Sequence, residues 1–328
     1  MTAAASAFIF PGQGSQKVGM LAAAHAAYAP VRATFEEASA ALGYDMWDLI
    51  CNGDQSDLNM TAITQPVLLS SSVALWRAWR ECGGTAPAVM AGHSLGEFSA
   101  LVCAGSLDFA DAVCLVRSRG EFMQSAVPVG EGAMAAIIGV DDELIIDICA
   151  QVVDGGAGEV AAVNFNSPGQ VVIAGHTDAV DVAIAKLKAA GAKRAMPLPV
   201  SAPFHTSLMQ PAGEKLAEAM ADIHITSPDI PVVHNVHCRS ERDPDQIRTL
   251  MVKQIYSPVL WTGCVQTIAA MGVNNMIECG PGKVLSGLNR RIDKSLSSYL
   301  LEEPESLEVA LAAQCQGSVA LNKIKEDN

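Results

Sequence analysis

Apolar residues along the chain follow two rhythms, and each predicts a different kind of element. Short apolar runs that stop at glycine or proline read as buried strands, as in AFIF (7–10) and APAVMAG (86–92). Stretches with apolar residues at every third or fourth place read as helices near 31–42, 66–80 and 108–124. Pro66 sits where a first-turn proline would start the second of these, and Asp108 where a carboxylate would cap the third. The first strand runs into a glycine turn, PGQGSQKVG (11–19), and the second into HSLGEFSALVCAG, whose small residues suit a helix packed closely on a sheet. The repeating unit is therefore strand, glycine loop, helix.

From residue 133 the rhythm changes. AMAAIIGV reads as a strand, DDELIIDICAQV as a helix, EVAAVNFN and GQVVIAGH as strands around an SPG turn, TDAVDVAIAKLKAAG as a helix and AKRAMPLPV as a strand. That β-α-β-β-α-β order is the ferredoxin-like unit, here an inserted lobe over 128–199. The larger pattern resumes with PVVHNV (231–236) and NMIECGPGKVLSGL (275–288). The chain is thus α/β, with a discontinuous large domain over 1–127 and 200–308 and a tail over 309–328.

Composition narrows the class. Half of the 328 residues are hydrophobic and 17% are charged, which suits a compact enzyme and not a disordered chain. Thirty-five acids against 21 Lys and Arg leave a net charge of −14, so a nucleic-acid partner is not expected. Nine scattered cysteines without a CxxC pair suggest reduced thiols and no zinc site. The opening MTAAASAFIF lacks the cationic start of a secretory signal, and no apolar run approaches a membrane span, so a soluble cytoplasmic protein is expected.

Gly92-His93-Ser94-Leu95-Gly96 matches G-x-S-x-G between a predicted strand and a predicted helix, the setting in which a serine is lifted out of a sheet as a nucleophile. A serine between glycines is also an ordinary turn residue, and the context favours the nucleophile. Such a serine needs a base, and seven histidines are available. His93 is beside it on a tight turn, where its ring would point away and line the site. His205, in PLPVSAPFHTSLM, lies where the chain returns across the boundary between lobes, although a loop histidine is often plain surface. The backbone N–H of Leu95, opening the helix, is one oxyanion donor by position. The loop FPGQGSQ (10–16) lacks the full G-x-G-x-x-G and P-loop patterns, so its glycines more plausibly bring the backbone at Gln13 close to an acyl group.

FPGQGSQ, TQPVLL (64–69), GHSLGE, RGEFMQ (119–124), NFNSPGQVVIAG (164–175), VSAPFH (200–205), QIYSPVLW (254–261) and GPGKVL (280–285) follow one another as they do in malonyl-CoA:acyl carrier protein transacylases, which the chain resembles over about 7–305. The resemblance implies an α/β-hydrolase-like large domain with the ferredoxin-like small domain inserted and the active site between them. It implies Ser94 as nucleophile and His205 as general base and later acid. The histidine would be oriented by a backbone carbonyl, at Gln254, in place of a third carboxylate. Arg119 matches the arginine that pairs with the malonyl carboxylate; Arg117, about 200° round the helix, cannot face the same way. Leu95 and Phe204 resemble the malonyl-selective pattern, with bulk against an α-methyl group. Gln65 would line the acyl pocket, or be a plain polar residue at a helix start.

The implied reaction is ping-pong transfer from malonyl-CoA to the phosphopantetheine thiol of acyl carrier protein, supplying fatty acid synthesis, by a monomer with no metal or redox cofactor. A polyketide role is equally compatible with the residues. The carrier is acidic, so docking would need a local basic patch, for which Lys193, Arg194, Arg290 and Arg291 are candidates against a background of ordinary surface charge. A serine hydrolase that uses water, and a non-catalytic carrier-binding scaffold, are the alternatives; Arg119 and the intact Ser94 and His205 speak against them.

Overall fold

The computed structural model describes residues 5–200 and 202–314. Among the described residues nine strands build two sheets: β1 Ala5–Phe10, β2 Val89–Gly92, β3 Gly132–Ile138, β4 Val160–Ser167, β5 Gln170–His176, β6 Arg194–Pro197, β7 Val232–Val233, β8 Val273–Glu278 and β9 Ser297–Leu300. The larger sheet has the order β7-β2-β1-β8-β9 and all its pairings are parallel. The smaller has the order β4-β5-β3-β6 and is antiparallel throughout.

The central strands β1 and β2 read as nearly unbroken apolar runs because both their faces are covered. Phe8, Phe10 and Met90 point into the main core with the helices Ala29–Leu42, Thr61–Glu81 and Phe109–Ser125. Ala7, Ile9, Val89 and Ala91 point the other way, against Trp261, Val265 and Leu285 of the helices Trp261–Ala270 and Val284–Ile292. The smaller sheet divides its side chains in the same way. Ala135, Ile137, Val171 and Ile173 pack under the helices Asp142–Asp154 and Thr177–Ala189. Met134, Val172 and Ala174, one residue out of step, join the main core. The inserted segment therefore shares a hydrophobic seam with the rest of the molecule. Backbone bonds reinforce the seam: Phe165 N–H donates to Val259 O at 3.0 Å and Val259 N–H to Val163 O at 2.8 Å.

Three features depart from the sequence reading. Pro66 does not start its helix, which begins at Thr61 and contains it. The proline leaves the Ala62 carbonyl without its helical partner, but Thr64 Oγ caps the Leu58 and Met60 carbonyls and Thr61 Oγ meets Gln124, so tertiary contacts hold the extra turn. Gln65 is consequently an interior helix residue. The boundary at 308 is also displaced: 304–314 is helical, with Leu307 and Ala310 buried in the main core and Gln314 bonded to the Thr85 N–H at 3.1 Å. Residues 315–328 of the expected tail lie outside the described residues. Finally, β9 and the helices Gln210–Ala219, Pro244–Gln254 and Trp261–Ala270 were not anticipated.

The chain crosses from β2 into the helix Leu95–Cys103 with no space to spare. A Cβ on Gly92 would stand 1.8 Å from the Gly96 carbonyl carbon, and one on Gly96 would stand 2.0 Å from Phe10 O. Gly92→Ala is expected to destabilise the protein by at least ~1–3 kcal/mol, the usual range for forced overpacking, read as a lowered urea midpoint.

Candidate active site

Ser94 occupies the turn between β2 and that helix with φ 51° and ψ −107°, a conformation that costs a non-glycine residue roughly 1–3 kcal/mol. Asn235, just beyond β7, braces it from below: its side-chain oxygen accepts the Ser94 N–H at 2.8 Å and its amide donates to Gly92 O at 2.7 Å. The loop after β1 leans on the same turn, since a Cβ on Gly12 would lie 2.5 Å from His93 O. The exposed Gln13 is next to that contact. Leu95, first in the helix, has no intrahelical acceptor for its N–H. All these parts lie at the carboxyl ends of parallel strands, where open α/β sheets place their ligands.

His205 reaches the turn from beyond β6. Its Nε2 is 2.8 Å from Ser94 Oγ and its Nδ1 is 2.9 Å from the Gln254 backbone carbonyl. A carbonyl only accepts, so Nδ1 carries the proton and Nε2 is left bare toward the serine hydroxyl. His205 is buried and itself has a positive φ of 64°. Burial, and secondarily the nearby Arg119 guanidinium, push its pKa down to about 3, so the ring is neutral at physiological pH.

Arg119 is 1% exposed and points inward from the helix Phe109–Ser125. Nη1 donates to Gln65 Oε1 at 2.8 Å; Nη2 donates to Ser94 Oγ at 3.2 Å and to Gln254 Oε1 at 3.0 Å. Nε has no hydrogen-bond partner. Among the described residues no carboxylate forms a salt bridge with it, and burial lowers its pKa to about 9, against a raising influence from Glu97. The neighbouring Gly120 makes this possible by letting the helix cross Thr61–Glu81 closely; a Cβ there would meet Thr61 O at 2.6 Å. Arg117 points elsewhere, toward Glu121 and Leu42 O.

The remaining candidates are placed as follows. The His93 ring turns away from the serine and bonds Asn166 Oδ1 at 2.8 Å, across to the end of β4. Gln65 is fully buried beside Arg119, and Leu95 and Phe204 lie in the main core. Lys193, Arg194, Arg290 and Arg291 are exposed, and Arg291 bonds Gln170. Ile138 pairs with both Gln170 and Arg194, so those two stand on one rim, two strand spacings or about 10 Å apart. Sequence reasoning missed the contributions of Glu97, His234, Asn235, Asn166 and the Gln254 side chain. Only Glu97 gave a signal, as a carboxylate within the apolar helix LGEFSALVC. Among the described residues no cluster of His, Cys, Asp or Glu is built to hold a metal, and no helix is long and apolar enough to cross a membrane.

A serine raised on a strained turn, a neutral histidine on its hydroxyl and a buried guanidinium beside both make a site fit for handling acyl groups. Comparison agrees with that class. The acyl transferase domain family matches residues 7–305. A curated relative from Escherichia coli, malonyl CoA-acyl carrier protein transacylase, is 58% identical over 305 residues, 93% of this chain and 98% of its own. The structure of the malonyl CoA-acyl carrier protein transacylase from Coxiella burnetii superposes with a TM-score of 0.94 at 46% identity, covering 96% and 99% of the two chains. A second structure, a malonyl-transacylase in complex with a type II PKS acyl-carrier protein, gives a TM-score of 0.92 at 52% identity over 94% and 99% of the two chains. The chain belongs to the acyl transferase family, among the malonyl-CoA:acyl carrier protein transacylases.

The depressed His205 pKa also has a stability consequence. The unfolded chain takes up a proton on this ring as the pH drops below 6.5, whereas the folded protein does not until about 3. Folding stability therefore falls as the pH falls through that window. His205→Ala, measured by urea midpoints at pH 7 and 5, should lose less stability on acidification than the unsubstituted protein.

Proposed function

We propose that the chain transfers a malonyl group from malonyl-CoA to the phosphopantetheine thiol of an acyl carrier protein, by way of a malonyl ester on Ser94. The observation that carries this reading is the buried, unpaired Arg119 guanidinium 3.2 Å from Ser94 Oγ. A buried charge without a counter-ion is costly, and an acyl group that ends in a carboxylate supplies one. An acyl group without a carboxylate leaves the cost in place, which is how the site would prefer malonyl over acetyl. Bulk at Leu95 and Phe204 would disfavour an α-methyl group, by ~1–3 kcal/mol at most.

His205 Nε2 takes the Ser94 proton as Oγ attacks the thioester carbonyl, and the Leu95 and Gln13 N–H groups receive the oxyanion. The intermediate collapses with cleavage of the C–S bond, and CoA leaves as its thiol with the proton from His205. The carrier thiol then gives its proton to His205 and attacks the ester, and Ser94 regains its proton as the malonyl thioester departs. Bonds and protons balance without a metal or redox cofactor. A carrier as acceptor is supported by the related malonyl-transacylase solved with one, and the rim holding Arg194 and Arg291 offers an acidic carrier a place to dock. We read the whole as an α/β-hydrolase-like domain with a ferredoxin-like insertion over 128–199, working as a cytoplasmic monomer in fatty acid synthesis.

Intact mass after brief exposure to malonyl-CoA should show a malonyl increment on the protein and none on Ser94→Ala, and the increment should move to holo carrier when that is added. Loss of the increment to water at the same rate without carrier would instead identify a hydrolase. Arg119→Ala should reduce acylation by malonyl-CoA on the order of 10²-fold while affecting acetyl-CoA much less, since two charge-assisted hydrogen bonds are worth roughly 3 kcal/mol. Equal losses would remove Arg119 from carboxylate recognition. Reversing Arg290 and Arg291 to Glu should slow transfer to carrier and spare CoA release.

A further inference from the structure

Beneath the serine lies a carboxylate that the cycle above does not use. Glu97 is fully buried one turn into the elbow helix, and three donors converge on its two oxygens. His234 Nδ1 lies 2.7 Å from Oε1; Oε2 accepts the Asn235 N–H at 2.9 Å and the Gln254 side-chain amide at 2.9 Å. Each of the last two partners is already in contact with the reacting groups. Asn235 holds the Ser94 N–H and Gly92 O. Gln254 holds four things at once: its backbone carbonyl faces His205 Nδ1, its side-chain amide donates to Ser94 O at 3.0 Å as well as to Glu97, and its side-chain oxygen accepts from Arg119 Nη2.

The chemistry of these partners admits one arrangement. A carboxylate accepts only and a guanidinium donates only, so the Gln254 amide between them must turn its NH₂ to Glu97 and its oxygen to Arg119. Were the amide reversed, a donor would face a donor at Arg119 and an acceptor an acceptor at Glu97. The Glu97 charge also acts to raise the Arg119 pKa, against the lowering by burial. We propose that Glu97 is the positioning residue of this site: through Gln254 and Asn235 it fixes the serine turn, the histidine anchor and the arginine fork in one mutual geometry. Its carboxylate touches neither Ser94 Oγ nor the His205 ring. It takes the place of the missing third triad acid, one residue removed and serving three groups instead of one.

The proposal rests on Ser94 and His205 being the reacting pair, so its test includes a probe that needs neither malonyl-CoA nor carrier. The rate at which a fluorophosphonate labels Ser94 is measured in the unsubstituted protein and in Glu97→Gln, Gln254→Ala and the double variant, with thermal melting to confirm folding. Glu97→Gln keeps the volume while replacing one of two acceptors by a donor and removing the charge. Labelling is expected to slow about 10- to 100-fold, the scale of a displacement near 1 Å, and acylation by malonyl-CoA is expected to fall further than acylation by acetyl-CoA, because the Arg119 fork loosens too. Since part of the Glu97 effect runs through Gln254, the loss in the double variant should be smaller than the product of the two single losses. Folded Glu97→Gln that labels at the original rate overturns the proposal, as does a double variant whose losses simply multiply. If Glu97→Gln does not fold, Glu97→Asp, which keeps the charge and shortens the reach, serves in its place with the same two criteria. An unsubstituted protein that labels readily yet takes no malonyl group would sink the function proposed above and leave this one standing.

Discussion

Ser94 can be where it is only because the chain is forced through a turn it would not adopt on its own. Its backbone lies in a region that side-chain-bearing residues avoid, and what holds it there is closure on every side: Gly92 and Gly96 in atomic contact, Phe10 O against the helix, and Asn235 bridging the serine N–H to Gly92 O. The turn sets the direction of Oγ, and the positions of His205, Arg119 and the loop at Gln13 have meaning only relative to that direction. His205 has a positive φ of its own. Ser94 and His205 thus both sit in strained backbone that the surrounding packing over-determines.

Charge at the site is arranged with the same economy. Among the described residues Arg119 is buried without a salt bridge, and burial first, with the Arg119 charge second, keeps the His205 ring neutral, the form that can accept a proton. Ser94 Oγ lies between the two, within reach of Nε2 on one side and Nη2 on the other. Glu97 lies beneath these groups and is hydrogen-bonded to Asn235 and Gln254, which touch them.

The inserted lobe matters because it delivers His205. The antiparallel sheet buries one face under its own helices and the other in the main core, and His205, eight residues after β6, lies over the serine. The His93 to Asn166 bond and the Val163 to Val259 pairing add polar fasteners along the same seam.

Much of this was legible in the order of residues. Period-two and period-four patterns found six of the strands near their observed places and all of the inserted lobe's elements, because those segments are long enough for burial on one or both faces to leave a pattern. G-x-S-x-G named the serine, since steric limits at so tight a turn act on neighbouring residues. Short or half-exposed elements such as β9 left too little pattern to read, and the helix start at Thr61 was hidden because side-chain hydrogen bonds, from Thr64 to the carbonyls before it and from Thr61 to the distant Gln124, hold the turn before Pro66. The same division runs through the site. Sequence alone determined which residue types could do the chemistry. Only the tertiary structure decided that Glu97, Asn235 and Gln254, separated by as many as 157 positions, meet under the serine, because hydrogen bonds between buried side chains depend on how the layers pack and leave no periodic trace along the chain.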